Sequence, residues 1–131
     1  MNPNFGHPPS HRLKQKRAFD ALFSGGTRVH GRFVTVIARP GTGASRLGIP
    51  CGKRYSKHAV ERNRFRRLVR EVYRLQQNAL PSGLEMIVLP RCKPKDTKFE
   101  SLSRELPQLI QRAAGKVALQ AAQKAAQQKS E

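Results

Sequence analysis

Tryptophan is absent, cysteine occurs twice, and carboxylates number only eight in 131 residues. Each scarcity excludes something. Two cysteines cannot build a disulfide scaffold, and Cys51 and Cys92 lack the paired spacing of a zinc site. The carboxylates are scattered from Asp20 to Glu131, with no close pair suited to a two-metal phosphodiesterase. His7, His11, His30 and His58 have neither the spacing nor the partners of a general acid and base. No apolar run approaches the ~20 residues of a membrane span. Met1 to Arg17 shows no apolar stretch behind a basic start, so no secretory signal is expected and the expected location is the cytoplasm. Hydrophobic residues make up 37% of the chain, enough for one modest core and one domain.

What is abundant is positive charge. Lys and Arg number 26 against 8 acids, a formal net charge of +18. Such a charge opposes compaction unless a polyanion neutralises it, and nucleic acid is the obvious one. An anionic membrane would call for a basic helix with an exposed apolar face, often carrying tryptophan, so no membrane partner is expected.

The pattern of elements reads as follows. Residues 1–11 are polar, with Pro3, Pro8 and Pro9, and are expected to form a disordered arm. Leu13 to Phe23 reads as a short helix ended by Ser24-Gly25-Gly26. Arg32 to Ala38 is rich in β-branched residues and reads as a strand. Arg46 to Cys51 reads as a second strand, kept to an edge or a bulge by Pro50. His58 to Gln76 is the longest helical pattern, with Ser56 as a candidate N-cap. Glu85 to Leu89 reads as a short central strand. Asp96 or Thr97 is placed to cap a last helix reaching about Lys116, which Pro107 should kink or split. Residues 117–131, rich in Ala, Gln and Lys, are expected to be frayed or disordered. The order is α-β-β-α-β-α: an α/β (α+β) single domain over residues 12–116, with helices packed on a small mixed sheet.

On a wheel of ~100° per residue, Phe65, Leu68, Val69, Val72 and Leu75 of the long helix share one arc and should face the sheet. Arg62, Asn63, Arg66, Arg67, Arg70 and Arg74 share the opposite arc, with Arg64 at its flank. These arginines repel one another unless an anion lies between them. Guanidinium groups pair bidentately with phosphate and stack on bases. A DNA recognition helix would need a helix-turn-helix partner and base-reading amides. Here the preceding segment is strand-like and Asn63 is the one amide in the stripe. The pattern therefore suits backbone and shape recognition of structured RNA, and no DNA partner is expected.

The run from Lys53 to Glu71, with Arg62-Asn63-Arg64 at its centre and alternating basic and apolar positions after it, closely resembles the bacterial ribonuclease P protein subunit. The resemblance extends over about Arg12 to Ala113. It takes in Arg12-Leu13, the Phe19/Phe23 pair, Arg46-Leu47-Gly48 and the segment Met86 to Arg91. It implies a ribosomal-protein-like two-layer sandwich with a left-handed βαβ crossover. It further implies the protein component of a ribonucleoprotein endoribonuclease that removes the 5′ leader of precursor tRNA with Mg²⁺. The partners implied are ribonuclease P RNA and precursor tRNA. The catalytic centre would lie in the RNA, so the protein supplies no catalytic residue and is not expected to cleave alone.

By the same resemblance, Arg62, Asn63, Arg64, Arg66, Arg67, Arg70 and Arg74 would face the catalytic RNA, with Asn63 a weak candidate for a metal contact. Lys16, Phe19, Phe23, Lys53, Arg54, Lys57 and Arg91 would bind the leader in a cleft between the first helix and the sheet. Val36 departs from the pattern: some members carry an aromatic there, and valine offers no stacking surface. A ribosomal protein or other RNA-binding module of similar fold would share the charge and the helix. The extended Lys53 to Glu71 run together with the phenylalanine pair distinguishes the two.

Overall fold

The β-branched residues 34–37 form the middle of the sheet, because alternate side chains there can be buried on both of its faces. A computed structural model describes residues 16–41 and 44–129. The chain runs α1 (Lys16–Gly25), β1 (Thr27–His30), β2 (Val34–Pro40), β3 (Arg46–Gly48), α2 (Ala59–Gln76), β4 (Leu84–Pro90) and α3 (Phe99–Lys129). Short 3-10 turns at Gln77–Ala79 and Pro94–Asp96 flank β4. The sheet order is β1-β2-β4-β3, antiparallel except for the β3/β4 pair that α2 connects. As expected, β4 is central and β3 lies at an edge, ending two residues before Pro50.

The order contains one strand more than the sequence suggested. Strand β1 was missed because it has four residues and only Val29 turns inward, too short a run to show a period of two. It pairs with β2 through a turn in which Gly31 N–H donates to the Val34 carbonyl at 2.8 Å.

Val34, Val36 and Ala38 join Leu47, Met86 and Val88 in the main core under α2 and α3. The alternate positions Ile37 and Ile87 face α1, where they meet Leu22 and the half-buried Phe19 and Leu89. Helix α1 approaches the sheet closely. A Cβ on Gly26 would stand 2.5 Å from Ile37 Cγ2 and 2.6 Å from the Leu22 carbonyl oxygen, so only glycine fits there. The first residues of the expected first helix, Leu13 to Gln15, and the expected disordered arm lie outside the described residues.

Helix α2 buries Phe65, Val69, Val72 and Tyr73. Leu75, expected on this face, is 51% exposed. The buried arc is turned toward Tyr73, and Leu75 sits about 80° from Phe65 on its far side. The N-cap position belongs to His58 rather than Ser56. Ser56 acts from two residues upstream: its hydroxyl accepts from His58 N–H at 3.0 Å and donates to the Glu61 carboxylate. Similarly, the Thr97 hydroxyl does not cap α3 but donates to the Lys93 carbonyl at 3.0 Å.

Pro107 neither splits α3 nor ends it. It has no N–H to give the Ser103 carbonyl one turn back. That carbonyl instead accepts from Gln76 Nε2 of α2 at 3.3 Å, and Ser103 Oγ lies at the same distance from the amide. The gap in the helix ladder thus becomes a link between helices. Gln76→Leu should cost about 1–2 kcal/mol by leaving that carbonyl unpaired. Adding Pro107→Ala should recover most of the loss, because alanine brings back the helical N–H that proline lacks. Urea midpoints of the two single variants and the double variant read this coupling directly.

Helix α3 also runs beyond its expected end near Lys116, as far as Lys129. Val117 is buried, and Thr27 Oγ1 donates to Gln120 Oε1 at 2.8 Å, tying the added turns to β1. Alanine and glutamine supply the helix propensity beyond that contact.

Candidate nucleic-acid interface

Two basic surfaces meet at the connector between β3 and α2. On α2, Asn63, Arg64 and Arg67 are exposed, while Arg62, Arg66, Arg70 and Arg74 are half-buried. Arg62, Arg66 and Arg74 are held by their own chain. Arg66 donates from Nε to the Ile49 carbonyl (3.2 Å), from Nη2 to the Cys51 carbonyl (2.8 Å) and from Nη1 to Asn63 Oδ1 (3.0 Å). Arg62 donates to the Ser56 carbonyl at 2.9 Å. Arg74 grips Glu71 through both Nε and Nη2, which holds the Glu71 carboxyl below its usual range. So the seven-residue stripe divides. Arg64 and Arg67 present their guanidinium groups to solvent, whereas Arg62 and Arg66 clamp the connector that leads into the helix. Asn63 gives its amide oxygen to a guanidinium, which makes that oxygen a poor seat for a cation.

The second surface is a basin of about 1250 Å³ at the end of the sheet where β4 stops and β2 starts. Its walls come from the β1–β2 turn, the connector after β3, the loop after β4 and the start of α3. Lys53, Arg54 and Arg91, three of the residues that the resemblance implies for the leader, line it together. Arg32, Lys93, Lys95 and Lys98 line it as well, against a single acid, Asp96. The sequence showed these four as charge without showing that they converge. Apolar surface comes from Phe33, Tyr55, Pro90 and Leu89. Beneath the rim, Tyr55 donates its hydroxyl to Thr97 Oγ1 at 2.8 Å and packs its ring 5.2 Å from Phe65. Burial pushes both the Tyr55 phenol and the Cys51 thiol upward, so each stays protonated at neutral pH. Cys92 Sγ lies 3.2 Å from Thr97 Oγ1.

The other expected leader residues are placed differently. Phe19 is half-buried against the cluster of Leu22, Ile37 and Ile87, and Phe23 is 42% exposed on the same helix. Leu89 belongs both to that cluster and to the basin lining, so the α1 side of the sheet adjoins the basin at this residue. Lys57 is exposed but outside the basin lining. The Lys16 side chain lies outside the described residues. Val36 is fully buried in the main core, so it cannot meet a ligand on the α1 side; Thr35 and Ile37 occupy that face. Among the described residues, no group of three or more His, Cys, Asp and Glu is placed to hold a metal ion, and no helix is long and apolar enough to cross a membrane.

A basic α+β domain with an arginine-bearing helix beside a cationic basin has the build of a protein that serves a polyanion. The comparisons specify which. A family model described as Ribonuclease P matches residues 7–114, and the chain belongs to the bacterial ribonuclease P protein family. The ribonuclease P protein component of Microcystis aeruginosa is 36% identical over 113 residues, covering 82% of this chain and 94% of its own. That of Methylococcus capsulatus is 36% identical over 103 residues, covering 78% and 80%. Among solved structures, the ribonuclease P protein of Thermotoga maritima superposes with a TM-score of 0.70 at 30% identity, covering 77% of this chain and 96% of that one. The chain is thus a protein component of ribonuclease P, a tRNA-processing ribonucleoprotein endoribonuclease.

Proposed function

We propose that the exposed arginines of α2 bind ribonuclease P RNA while the basin holds the 5′ leader of precursor tRNA. The observation that carries this reading is the arrangement of two cationic surfaces around one connector, itself fixed by Arg62 and Arg66. Arg64 and Arg67 on the helix suit a folded RNA, whose phosphates lie on a broad surface. The basin combines cations with aromatic and apolar walls, which suits an unpaired strand. Phe23, exposed beside the sheet, offers a further ring to such a strand.

Hydrolysis of the phosphodiester belongs to the RNA in this reading. Mg²⁺ does not fit a resident site in the protein: carboxylates are few, and the amide oxygen of Asn63 already accepts from Arg66. The metal is held by RNA and substrate phosphates. The protein's part is to bring the leader alongside the RNA and lower the repulsion between the two polyanions.

Reconstitution tests this. A bacterial ribonuclease P RNA is given precursor tRNA at limiting Mg²⁺, with and without the protein. Stimulated cleavage at the mature 5′ end is expected, with no cleavage by protein alone. Tight RNA binding without stimulation, repeated with several such RNAs, would leave only a general RNA-binding role.

A further inference from the structure

The turn between β1 and β2 is clamped from both sides by residues far away in the chain. From α3, the Glu105 carboxylate accepts from Phe33 N–H at 2.8 Å through one oxygen and from Arg32 N–H through the other. A side chain on Gly31 would collide with that carboxylate and with Leu109, so glycine is what lets Glu105 reach the turn. From the far side, Arg91 N–H donates to the Phe33 carbonyl at 2.8 Å and Arg91 Nη1 to the Gly31 carbonyl at 2.9 Å. A short surface turn needs no such double restraint for its own sake; its two side chains are what the restraint orients. The Arg32 guanidinium lies over the Phe33 ring, its Cζ 5.3 Å from the ring centroid, and both residues face the basin. The ring is half-buried against the main core, which supports it from below.

A guanidinium backed by an aromatic ring is a flat cationic surface with one face open. Unpaired bases stack on such planes, and the positive charge neutralises a neighbouring phosphate. We propose that Arg32, laid over Phe33 and oriented by Glu105, is a stacking platform for one unpaired base of the RNA strand that enters the basin. This rests on the leader-binding reading above and adds to it a base-contacting pair and a positioning residue. Glu105 touches no RNA; it acts through the two backbone N–H groups that it holds.

The test uses holoenzyme reconstituted with a bacterial ribonuclease P RNA and a set of precursor tRNAs, each with one leader nucleotide replaced by an abasic residue. Arg32→Lys keeps the charge and removes the plane. It should weaken precursor binding about tenfold, the scale of one stacked base. One abasic position should cost the wild-type holoenzyme a similar factor and cost Arg32→Lys nothing further. Precursor affinity equal to wild type in Arg32→Lys, or abasic penalties identical in the two proteins at each position, would overturn the platform. Glu105→Ala should reproduce the Arg32→Lys pattern. Glu105→Gln, which keeps one acceptor oxygen for the two N–H groups, should restore part of the affinity; if Glu105→Ala binds as wild type, the positioning role is overturned. Thermal melting reports folding, and if Glu105→Ala does not fold, Arg32→Lys carries the test. Failure of the underlying reading looks different. If removing the whole leader leaves wild-type affinity unchanged, the leader-binding role and the platform both fall. If leader removal and Lys53→Ala each weaken binding while Arg32→Lys does not, only the platform falls.

Discussion

Affinity for ribonuclease P RNA should fall about 20- to 40-fold between about 50 and 200 mM salt, the loss set by about three phosphate contacts. The count follows from the geometry. Arg64 and Arg67 are exposed on α2 and Lys57 on the connector before it, whereas Lys53 and Arg54 line the basin that takes the leader in this reading. Arg62, Arg66 and Arg74 are turned onto their own chain. Were every basic group of this region on phosphates, the loss over the same range would exceed about 10⁴-fold. Two neighbouring residues provide the internal control. Arg67→Ala should flatten the salt slope by about one contact and leave stability within about 0.5 kcal/mol. Arg66→Ala should leave the slope nearly intact and cost about 2–3 kcal/mol, because the Ile49 and Cys51 carbonyls lose a charged donor. Filter binding across a salt series and urea titration of the same variants separate the two effects. Equal slopes for wild type and Arg67→Ala would remove Arg67 from the RNA surface.

That contrast marks how far the sequence can be read. The period of 3.6 places Phe65, Val69 and Val72 on the buried side of α2, and the fold agrees; of the arginines set opposite, Arg64 and Arg67 are exposed and the others half-buried. Periodicity reports direction from an axis and says nothing of what lies in that direction. Arg66 and Arg67 are adjacent on the stripe, yet one meets the backbone of Ile49 and Cys51 while the other meets water. Leu75 departs for a related reason: the pattern centres the apolar arc between Phe65 and Leu75, but the buried arc extends to Tyr73 on the other side and leaves Leu75 exposed.

The basin was legible in part. Lys53, Arg54 and Arg91 were singled out and do line it. The sequence from Pro90 to Lys95 reads as a basic loop that holds Lys93 and Lys95, but nothing local says that it curls toward Arg32, and Lys98 stands outside it. The Glu105 clamp was beyond reach of any pattern, since it joins residues more than seventy positions apart through backbone N–H groups that every residue owns. Pro107 illustrates the opposite error. Its intrinsic effect is to remove one bond from the helix ladder, and a distant partner, Gln76, absorbs that loss.

Phe65→Ala should have the largest effect on the free protein. The ring has no exposed surface and sits where α2, the connector and the sheet converge, with the Tyr55 ring 5.2 Å away. Truncating a buried phenylalanine costs about 3–5 kcal/mol. A small domain has about 5–15 kcal/mol in all, and here the self-repulsion of a +18 chain draws on the same margin. The variant is therefore expected to be largely unfolded in low-salt buffer, by circular dichroism, where the wild type is helical. Val60→Ala, on the same helix at a position 77% exposed, should change stability by less than about 0.5 kcal/mol. Sulfate or ribonuclease P RNA should restore helix to Phe65→Ala in proportion to concentration, since anions bind the folded arrangement of arginines and not the dispersed one. A Phe65→Ala chain that melts cooperatively at the wild-type temperature in low salt would show that α2 is held in place by something other than this core. Helix restored by anion would show the reverse dependence. The face that buries Phe65 sets Arg64 and Arg67 in register, and phosphate on those arginines returns the stability that the core alone lacks.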